Sequence, residues 1–236
     1  MPQDKATYEI HITIPAELEA FSNGLLTSTI QNSDDTKTVS WAETHPIATD
    51  LIAIAVGPYE TFIFPYRSIL DIDIPLEFYV FPQHLEKAKE DWKYITRMMA
   101  FYEELFGPYP FDRYSMAEAL NRGAMEHQTM TTYSSQLVTG DHRYDYIVAH
   151  ELAHHWWGDY VTLGDWRDLW LNEGFATYSE ALYFEDVNGE LFYQEYMQNL
   201  AEVYFREVGR LGHFSIYDPE YLSLIHISEP TRPTLI

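Results

Sequence analysis

The chain has 236 residues, 46% of them hydrophobic and 16% aromatic, which is enough to bury the core of one or two domains. Its 37 acidic and 14 basic residues give a formal net charge of −23, which argues against nucleic acid and anionic membranes as partners. The absence of cysteine excludes disulfide bonds and thiolate metal ligands.

The first third of the chain carries the patterns of β-strands. Alternation of apolar and polar residues over Tyr8–Ile14 predicts a half-buried strand, and Phe21–Gly24 predicts a turn. Further strands are predicted at Leu51–Val56, Glu60–Phe64 and Leu76–Phe81. Residues 1–82 are therefore expected to form a β-rich region.

The rest of the chain, from about Pro82, mixes helical and strand patterns. Apolar residues at helical spacing predict one long helix that buries them and ends at Gly107-Pro108. These residues are Leu85, Ala88, Trp92, Ile95, Met99, Tyr102 and Leu105. Strands are predicted at Tyr114–Leu120 and Ala124–Thr131. Helices are predicted from just before Glu173 to about Asp186, and over about Leu191–Val208.

The densest chemical signal is the pentapeptide His150–His154, which has the sequence HELAH. Two histidines four residues apart lie on one face of a helix, so both imidazoles can reach one metal ion. The intervening Glu151 can act as general base, as in HExxH zinc peptidases. The pattern also arises by chance, and a histidine pair can be solvated or packed in a core. The apolar neighbours favour the metal, because buried polar groups need partners.

The third ligand decides the subtype of zinc site, since catalytic zinc takes three protein ligands and leaves one position open. A metzincin would carry histidine where this chain has Tyr160. Glu173, on the following predicted helix, is the candidate third ligand. Glu180 lies two turns further on and could orient a ligand histidine, although a solvated helix glutamate explains it equally well. We expect Asp141 to cap the HExxH helix.

Three segments together resemble the aminopeptidase N-like zinc metallopeptidases, the gluzincin family that includes leukotriene hydrolase. They are Gly123–His127, His150–Gly158 and Trp170–Ala176. The resemblance runs from about residue 4 to residue 221. It implies an α+β fold, with the end of a β-rich N-terminal domain at 1–82 and an incomplete thermolysin-like catalytic domain at 83–221. It also implies one Zn²⁺ per chain and removal of single residues from peptides with a free N-terminus.

The segment Gly123, Ala124, Met125 and Glu126 is the candidate substrate-binding strand. An exopeptidase that acts at the amino end needs a fixed anion for the substrate's α-amine. Glu126 supplies one, and its small neighbours let a substrate backbone pair along the strand edge. Without the resemblance, Glu126 would be an ordinary strand glutamate. The family's usual asparagine is replaced by His127, a departure that bears on the support of this strand.

Both ends of the sequence depart from what the resemblance implies. The first strands of the N-terminal domain are expected before Met1. The family's catalytic tyrosine is expected soon after Tyr221, but residues 222–236 contain no tyrosine and resemble the translation of a transposase sequencing adapter. We expect this tail to be an assembly artefact, and the chain to bind zinc but to turn over slowly, since loss of an oxyanion donor costs about 10²–10³ in rate.

Three functions stay open at this point. The first is a zinc aminopeptidase with Glu151 as general base, and the second is a zinc endopeptidase of the same fold. The third is a non-catalytic zinc-binding fragment. No apolar run is long enough to span a bilayer, so no membrane segment is expected in this chain. The preferred N-terminal residue, the localisation and the oligomeric state are not determined by the sequence.

Overall fold

The computed structural model describes residues 2–212 and residue 217. The expected artefactual tail at 222–236 and the expected domain end at Tyr221 lie outside the described residues. The described chain combines three sheets with five α-helices, so the α+β fold class is confirmed. Short 3-10 turns stand at Thr49–Leu51, Pro82–His84, Ser135–Leu137 and Trp166–Asp168.

The N-terminal region is built on a three-stranded antiparallel sheet. It contains β1 (Ala6–Pro15), β3 (Leu25–Gln31) and β4 (Thr36–Ile47) in the order β1-β4-β3. The alternating isoleucines of β1 pack with Val39 and Trp41 of β4, as expected for a half-buried strand. Strands β3 and β4 were not predicted from the sequence, because β3 is exposed along most of its length and β4 buries several polar residues, including Lys37 and Glu43.

A two-stranded sheet joins β2 (Glu19–Ser22) to β5 (Ile54–Gly57). Only the second half of the turn predicted at Phe21–Gly24 is correct. Phe21 and Ser22 are the last residues of β2, and the chain bends at the two residues that follow. The predicted strand at Leu51–Val56 begins later than expected. Its first residue belongs to the preceding 3-10 turn, which places the neighbouring Asp50 at the edge of the region that meets the helices.

The central sheet has five strands in the order β6-β7-β8-β10-β9. These are β6 (Glu60–Phe64), β7 (Leu76–Val80), β8 (Tyr114–Ala119), β9 (Ala124–Met125) and β10 (Thr131–Ser134). Strands β7, β8 and β10 are parallel, and the two outer strands run antiparallel to their neighbours. The sheet extends across the expected domain boundary near Pro82.

The single strand predicted at Ala124–Thr131 was wrong. The chain turns between β9 and β10, where Met130 N donates to His127 O at 2.8 Å. Ser115 Oγ of the neighbouring β8 segment donates to Thr129 O and holds the turn in place. The turn leaves β9 as an outer strand that pairs, among the described strands, with β10 alone, and it directs the following Glu126 towards the helices.

Two helices connect β7 to β8 where one long helix was predicted. They are α1 (Leu85–Asp91) and α2 (Ile95–Phe106), with the break at residues 92–94. Asp91, the last residue of α1, accepts backbone hydrogen bonds from Thr139, Gly140 and His142, so a tertiary contact fixes the break. The predicted apolar stripe is largely buried, but its last member, Leu105, is exposed.

The remaining helices are α3 (Asp145–Ala153), α4 (Leu169–Asn188) and α5 (Glu190–Leu211). The prediction that Asp141 caps α3 was wrong: α3 begins at Asp145 without a side-chain cap, and Asp141 instead accepts from Thr139 and Arg143. Helix α4 begins at Leu169, slightly earlier than predicted, so Glu173 lies in its second turn. Among the described helices, none is both long and apolar enough to cross a membrane.

Candidate metal centre

Helix α3 is buried over most of its length. All residues from Ile147 to Ala153 are shielded from solvent, so this stretch of the helix has no exposed face. His150 lies in its last turn, and His154 follows its end with the helical hydrogen bond to His150 O retained at 3.2 Å. The two imidazole Nε2 atoms are therefore only 2.9 Å apart in a buried environment.

Helix α4 brings a carboxylate to the same point. Glu173 Oε2 lies 3.3 Å from His150 Nε2 and 3.6 Å from His154 Nε2. This oxygen is buried and makes no hydrogen bond to the described part of the chain. A buried carboxylate oxygen without a hydrogen bond is costly unless another group binds it. Three ligand atoms, two of imidazole and one of carboxylate, thus converge within 4.8 Å of one another.

Other side chains hold the ligand imidazoles in orientation. His150 Nδ1 lies 3.2 Å from Glu180 Oε2, and His154 Nδ1 lies 3.1 Å from Trp157 O and 3.2 Å from Asn172 Oδ1. Both Nδ1 atoms are thereby engaged, which leaves both Nε2 atoms for a metal. Glu180 is only 4% exposed, so the interpretation of it as a solvated glutamate was wrong.

The electrostatics of the cluster favour bound positive charge. Burial and the neighbouring His154 both lower the pKa of His150, but Glu173 and Glu180 outweigh them and raise it to about 9. Burial alone would raise the pKa of Glu173, yet the two histidines hold it well below its usual range. Two imidazoles and one carboxylate can occupy three positions of a tetrahedral site, and Zn²⁺ accepts this set of donor atoms. The residues present therefore fit a zinc ion.

A second group of polar atoms adjoins the first. Atoms of Glu126, Glu151 and His154 all lie within 4.8 Å of one another, and all three residues are buried. Glu151 is the α3 residue next to His150, and Glu126 comes from the segment after β9. The structure thus brings the candidate general base and the candidate amine anchor to one side of the candidate metal ligands.

The candidate substrate strand is only partly a strand. Ala124 and Met125 form β9, whereas Gly123 precedes it and Glu126 follows it. Ser134 N donates to Gly123 O at 2.9 Å, which fixes the start of the segment. His127 supports its other end through a 3.1 Å hydrogen bond between Nδ1 and Thr132 Oγ1.

Asn172 is a candidate site residue that no sequence pattern singled out. Its Nδ2 donates to Glu126 Oε1 at 3.1 Å, and its Oδ1 faces His154, so one amide contacts both groups of the site. Gly158 makes room for it. A Cβ at Gly158 would overlap Asn172 Oδ1, and the φ angle of +144° also favours glycine. Asn172 stands next to Glu173 in the motif, but only the folded chain shows its contacts.

Comparisons with known proteins agree with this geometry. The model of the peptidase family M1 domain matches residues 91–209. Aminopeptidase N of Acetobacter pasteurianus is 32% identical over 192 residues, which is 75% of this chain and 52% of the relative. Leukotriene A-4 hydrolase of Xenopus laevis is 28% identical over 202 residues, covering 84% and 31% of the two chains. The chain thus spans about half or less of these curated relatives.

Solved structures show the same likeness in three dimensions. An M1 zinc metallopeptidase from Deinococcus radiodurans superposes with a TM-score of 0.73 at 28% identity, over 92% of this chain and 48% of that chain. Aminopeptidase A of Legionella pneumophila, in complex with aspartic acid, gives a TM-score of 0.75 at 27% identity. That match covers 80% of this chain and 24% of the other.

Proposed function

The chain belongs to peptidase family M1, and from this premise we propose that it is a zinc-dependent aminopeptidase that hydrolyses the first bond of peptides with a free N-terminus. His150, His154 and Glu173 would hold one zinc ion per chain, with Glu180 orienting His150. A bound zinc ion supplies a Lewis acid that lowers the pKa of water and polarises a carbonyl group.

Glu151 is the proposed general base. Its carboxylate would take a proton from the attacking water and deliver it to the leaving amine, so one group serves both steps. Its burial beside His154 supports this role, because a carboxylate shielded from bulk water keeps the proton near the reacting atoms. Such a group contributes about 10²–10⁴ to a rate.

Glu126 is the proposed anchor of the substrate's α-amine. The observation that carries the aminopeptidase assignment is its position within 4.8 Å of atoms of both Glu151 and His154. A fixed anion so near the base holds the amine about one residue from the bond that is cut. The outer position of β9 among the described strands supports the proposal further, since an extended substrate can pair with an edge strand.

The test is hydrolysis of one tripeptide with its amino terminus either free or acetylated. An aminopeptidase cuts only the free form, and Glu126→Gln should then raise KM for that form by at least about tenfold, as expected for loss of a buried charge pair. Glu60→Gln, an exposed change on β6, is the matched control.

Each contrary result points to another function. Equal hydrolysis of the free and acetylated peptides would indicate a zinc endopeptidase of the same fold. Bound zinc without any hydrolysis would leave the non-catalytic zinc-binding fragment. An unchanged KM in Glu126→Gln would remove the amine-anchoring role from Glu126 alone.

A further inference from the structure

A cavity of about 380 Å³ opens beside the candidate metal centre. Its walls come from the 3-10 turn before β5, from β9 and the residues after it, and from the segment that leads into α4. Residues that define its chemistry are Asp50, Leu51, Met125, Glu126, Leu163 and Leu169. The volume lies within the range of small-ligand sites, and Glu126 connects the cavity to the reacting groups.

Three leucines form a buried apolar part of the cavity wall. Leu51, Leu163 and Leu169 are each less than a tenth exposed, and their side chains form a surface suited to an aliphatic chain. Such a surface binds methylene groups through the hydrophobic effect. An apolar wall by itself would accept leucine and the stem of lysine or arginine alike, so it does not select between them.

The charged groups that line the cavity are negative. They repel an acidic ligand and offer nothing to an apolar one. Asp50 and Glu126 are both carboxylates, and no lysine or arginine in the described part of the chain lines the cavity. His127 also lines it, but burial lowers the pKa of its imidazole and keeps it neutral at pH 7. The electrostatic potential inside the cavity is therefore negative.

Glu126 has binding capacity left for a ligand. Only 6% of its surface is exposed, and its Oε1 accepts a hydrogen bond from Asn172 Nδ2. Its second oxygen makes no hydrogen bond to any described residue. Asp50 forms no ion pair with a described lysine or arginine. Burial, the largest influence, and the charge of Glu126 raise the pKa of its carboxyl, while a backbone hydrogen bond and the positive amino terminus of the chain act in the opposite direction. A cationic side chain bound near Asp50 and Glu126 would offset the repulsion between the two carboxylates.

We propose that this cavity holds the first side chain of the substrate and that Asp50 selects a long cationic one, lysine or arginine. The aliphatic stem would lie against Leu51 and Leu163, and the cationic head would pair with Asp50. Lysine and arginine combine an apolar stem with a charged end, as the cavity requires. An acidic side chain would be repelled by the two carboxylates. The inference rests on the proposed function, because Glu126 would hold the α-amine at the entrance.

The test measures binding of three probes, the amides of L-arginine, L-leucine and L-glutamate, to the zinc-loaded protein by calorimetry. Pro2 lines the cavity, so the protein is prepared without an N-terminal tag. We expect the arginine amide to bind more tightly than the leucine amide and the glutamate amide to bind least. Asp50→Asn should lower the ratio of arginine to leucine affinity by about fivefold, the value of a partly exposed ion pair.

Asp71→Asn is the matched control. It removes the same charge from an exposed loop, and asparagine tolerates the positive φ of that position. Equal binding of arginine and leucine amides, no measurable binding of any amide, or an Asp50→Asn ratio equal to that of the control would each overturn the proposal.

Hydrolysis of arginyl and leucyl tripeptides by the same variants separates this inference from the proposed function. Hydrolysis without preference for arginine would leave the aminopeptidase assignment standing and overturn the role of Asp50. Arginine selectivity in binding that depends on Asp50, without any hydrolysis, would keep the cavity assignment and reject the proposed function.

Discussion

The amide of Asn172 donates a 3.1 Å hydrogen bond to the carboxylate of Glu126 and thereby joins the two groups of the candidate site. The other end of the same amide lies 3.2 Å from His154 Nδ1. Both partners are buried, so this single side chain links the candidate amine anchor to a candidate metal ligand. Several expected outcomes depend on that link.

Asn172→Ala should weaken zinc binding and substrate binding together. Removal of the amide leaves His154 Nδ1 with Trp157 O as its one remaining partner among the described residues, and it leaves a buried Glu126 oxygen without its donor. Loss of such an outer partner costs about 10–100-fold in metal affinity. Zinc affinity is measured by competition with a chelator, and KM with a tripeptide that has a free N-terminus. Asn188→Ala, on the exposed end of the same helix, is the control, and equal zinc affinity in the two variants would contradict the bridging role.

We expect variants at three site residues to differ in zinc content and in activity. The parent protein should hold about one zinc per chain, and His154→Ala and Glu173→Ala should lose it, because two ligands cannot complete a stable site. Glu151→Gln should keep the zinc but lose at least about 10² in kcat, since it removes only the base.

Zinc content by atomic absorption, measured on dialysed protein whose fold is checked by circular dichroism, decides this prediction. Full zinc content in Glu173→Ala would remove Glu173 from the ligand set. Loss of zinc in Glu151→Gln would give that residue a ligand role in place of the catalytic one.

Gly158→Ala should destabilise the protein and damage the site at once. The new Cβ would overlap Asn172 Oδ1, and the positive φ adds strain, so we expect a loss of about 3 kcal/mol in the free energy of unfolding. Gly209→Ala is the control: it lies inside α5 with open space around it, and alanine there should stabilise by about 0.5–1 kcal/mol. Urea unfolding of zinc-free protein measures both, and equal midpoints would contradict the steric argument.

Glu103 should make stability depend on pH. Burial alone raises the pKa of its carboxyl, but hydrogen bonds from Ser68, Tyr109 N, Tyr66 and Ile69 N outweigh it and lower the pKa below the unfolded value. A depressed carboxyl pKa adds stability that is present above the unfolded pKa, near 4.5, and is lost as pH falls through the folded pKa.

The measurement for Glu103 is urea unfolding of zinc-free protein at pH 7 and pH 3.5. Glu103→Gln should lose about 2 kcal/mol at pH 7 and less at pH 3.5, because pH 3.5 lies below the unfolded pKa, so the unfolded carboxyl binds a proton and the contribution of the charged form shrinks. The neighbouring Glu104→Gln is exposed and serves as control. A loss that is the same at both pH values would show that packing, and not charge, is the cause.

Much of the fold and of the candidate site could be predicted from short-range sequence patterns. The four-residue spacing of His150 and His154 needs only the geometry of one helix to bring their Nε2 atoms together, and the family motif named Glu173 and Glu126 before their contacts were known. Helices α4 and α5 and strands β1, β6 and β7 were predicted within a few residues, because their apolar periodicity matches the burial that they attain.

Long-range contacts decided the rest. The break between α1 and α2 depends on Asp91 binding a loop about 50 positions later in the chain, and the turn that ends β9 is held by Ser115 of the β8 segment. The bridge from Asn172 to Glu126 and the cavity that Asp50 shares with Leu169 also join distant parts of the chain. A periodic sequence pattern indicates which face of a helix or strand is buried. It does not indicate which residues pack on that face, because those contacts form only when distant parts of the chain come together.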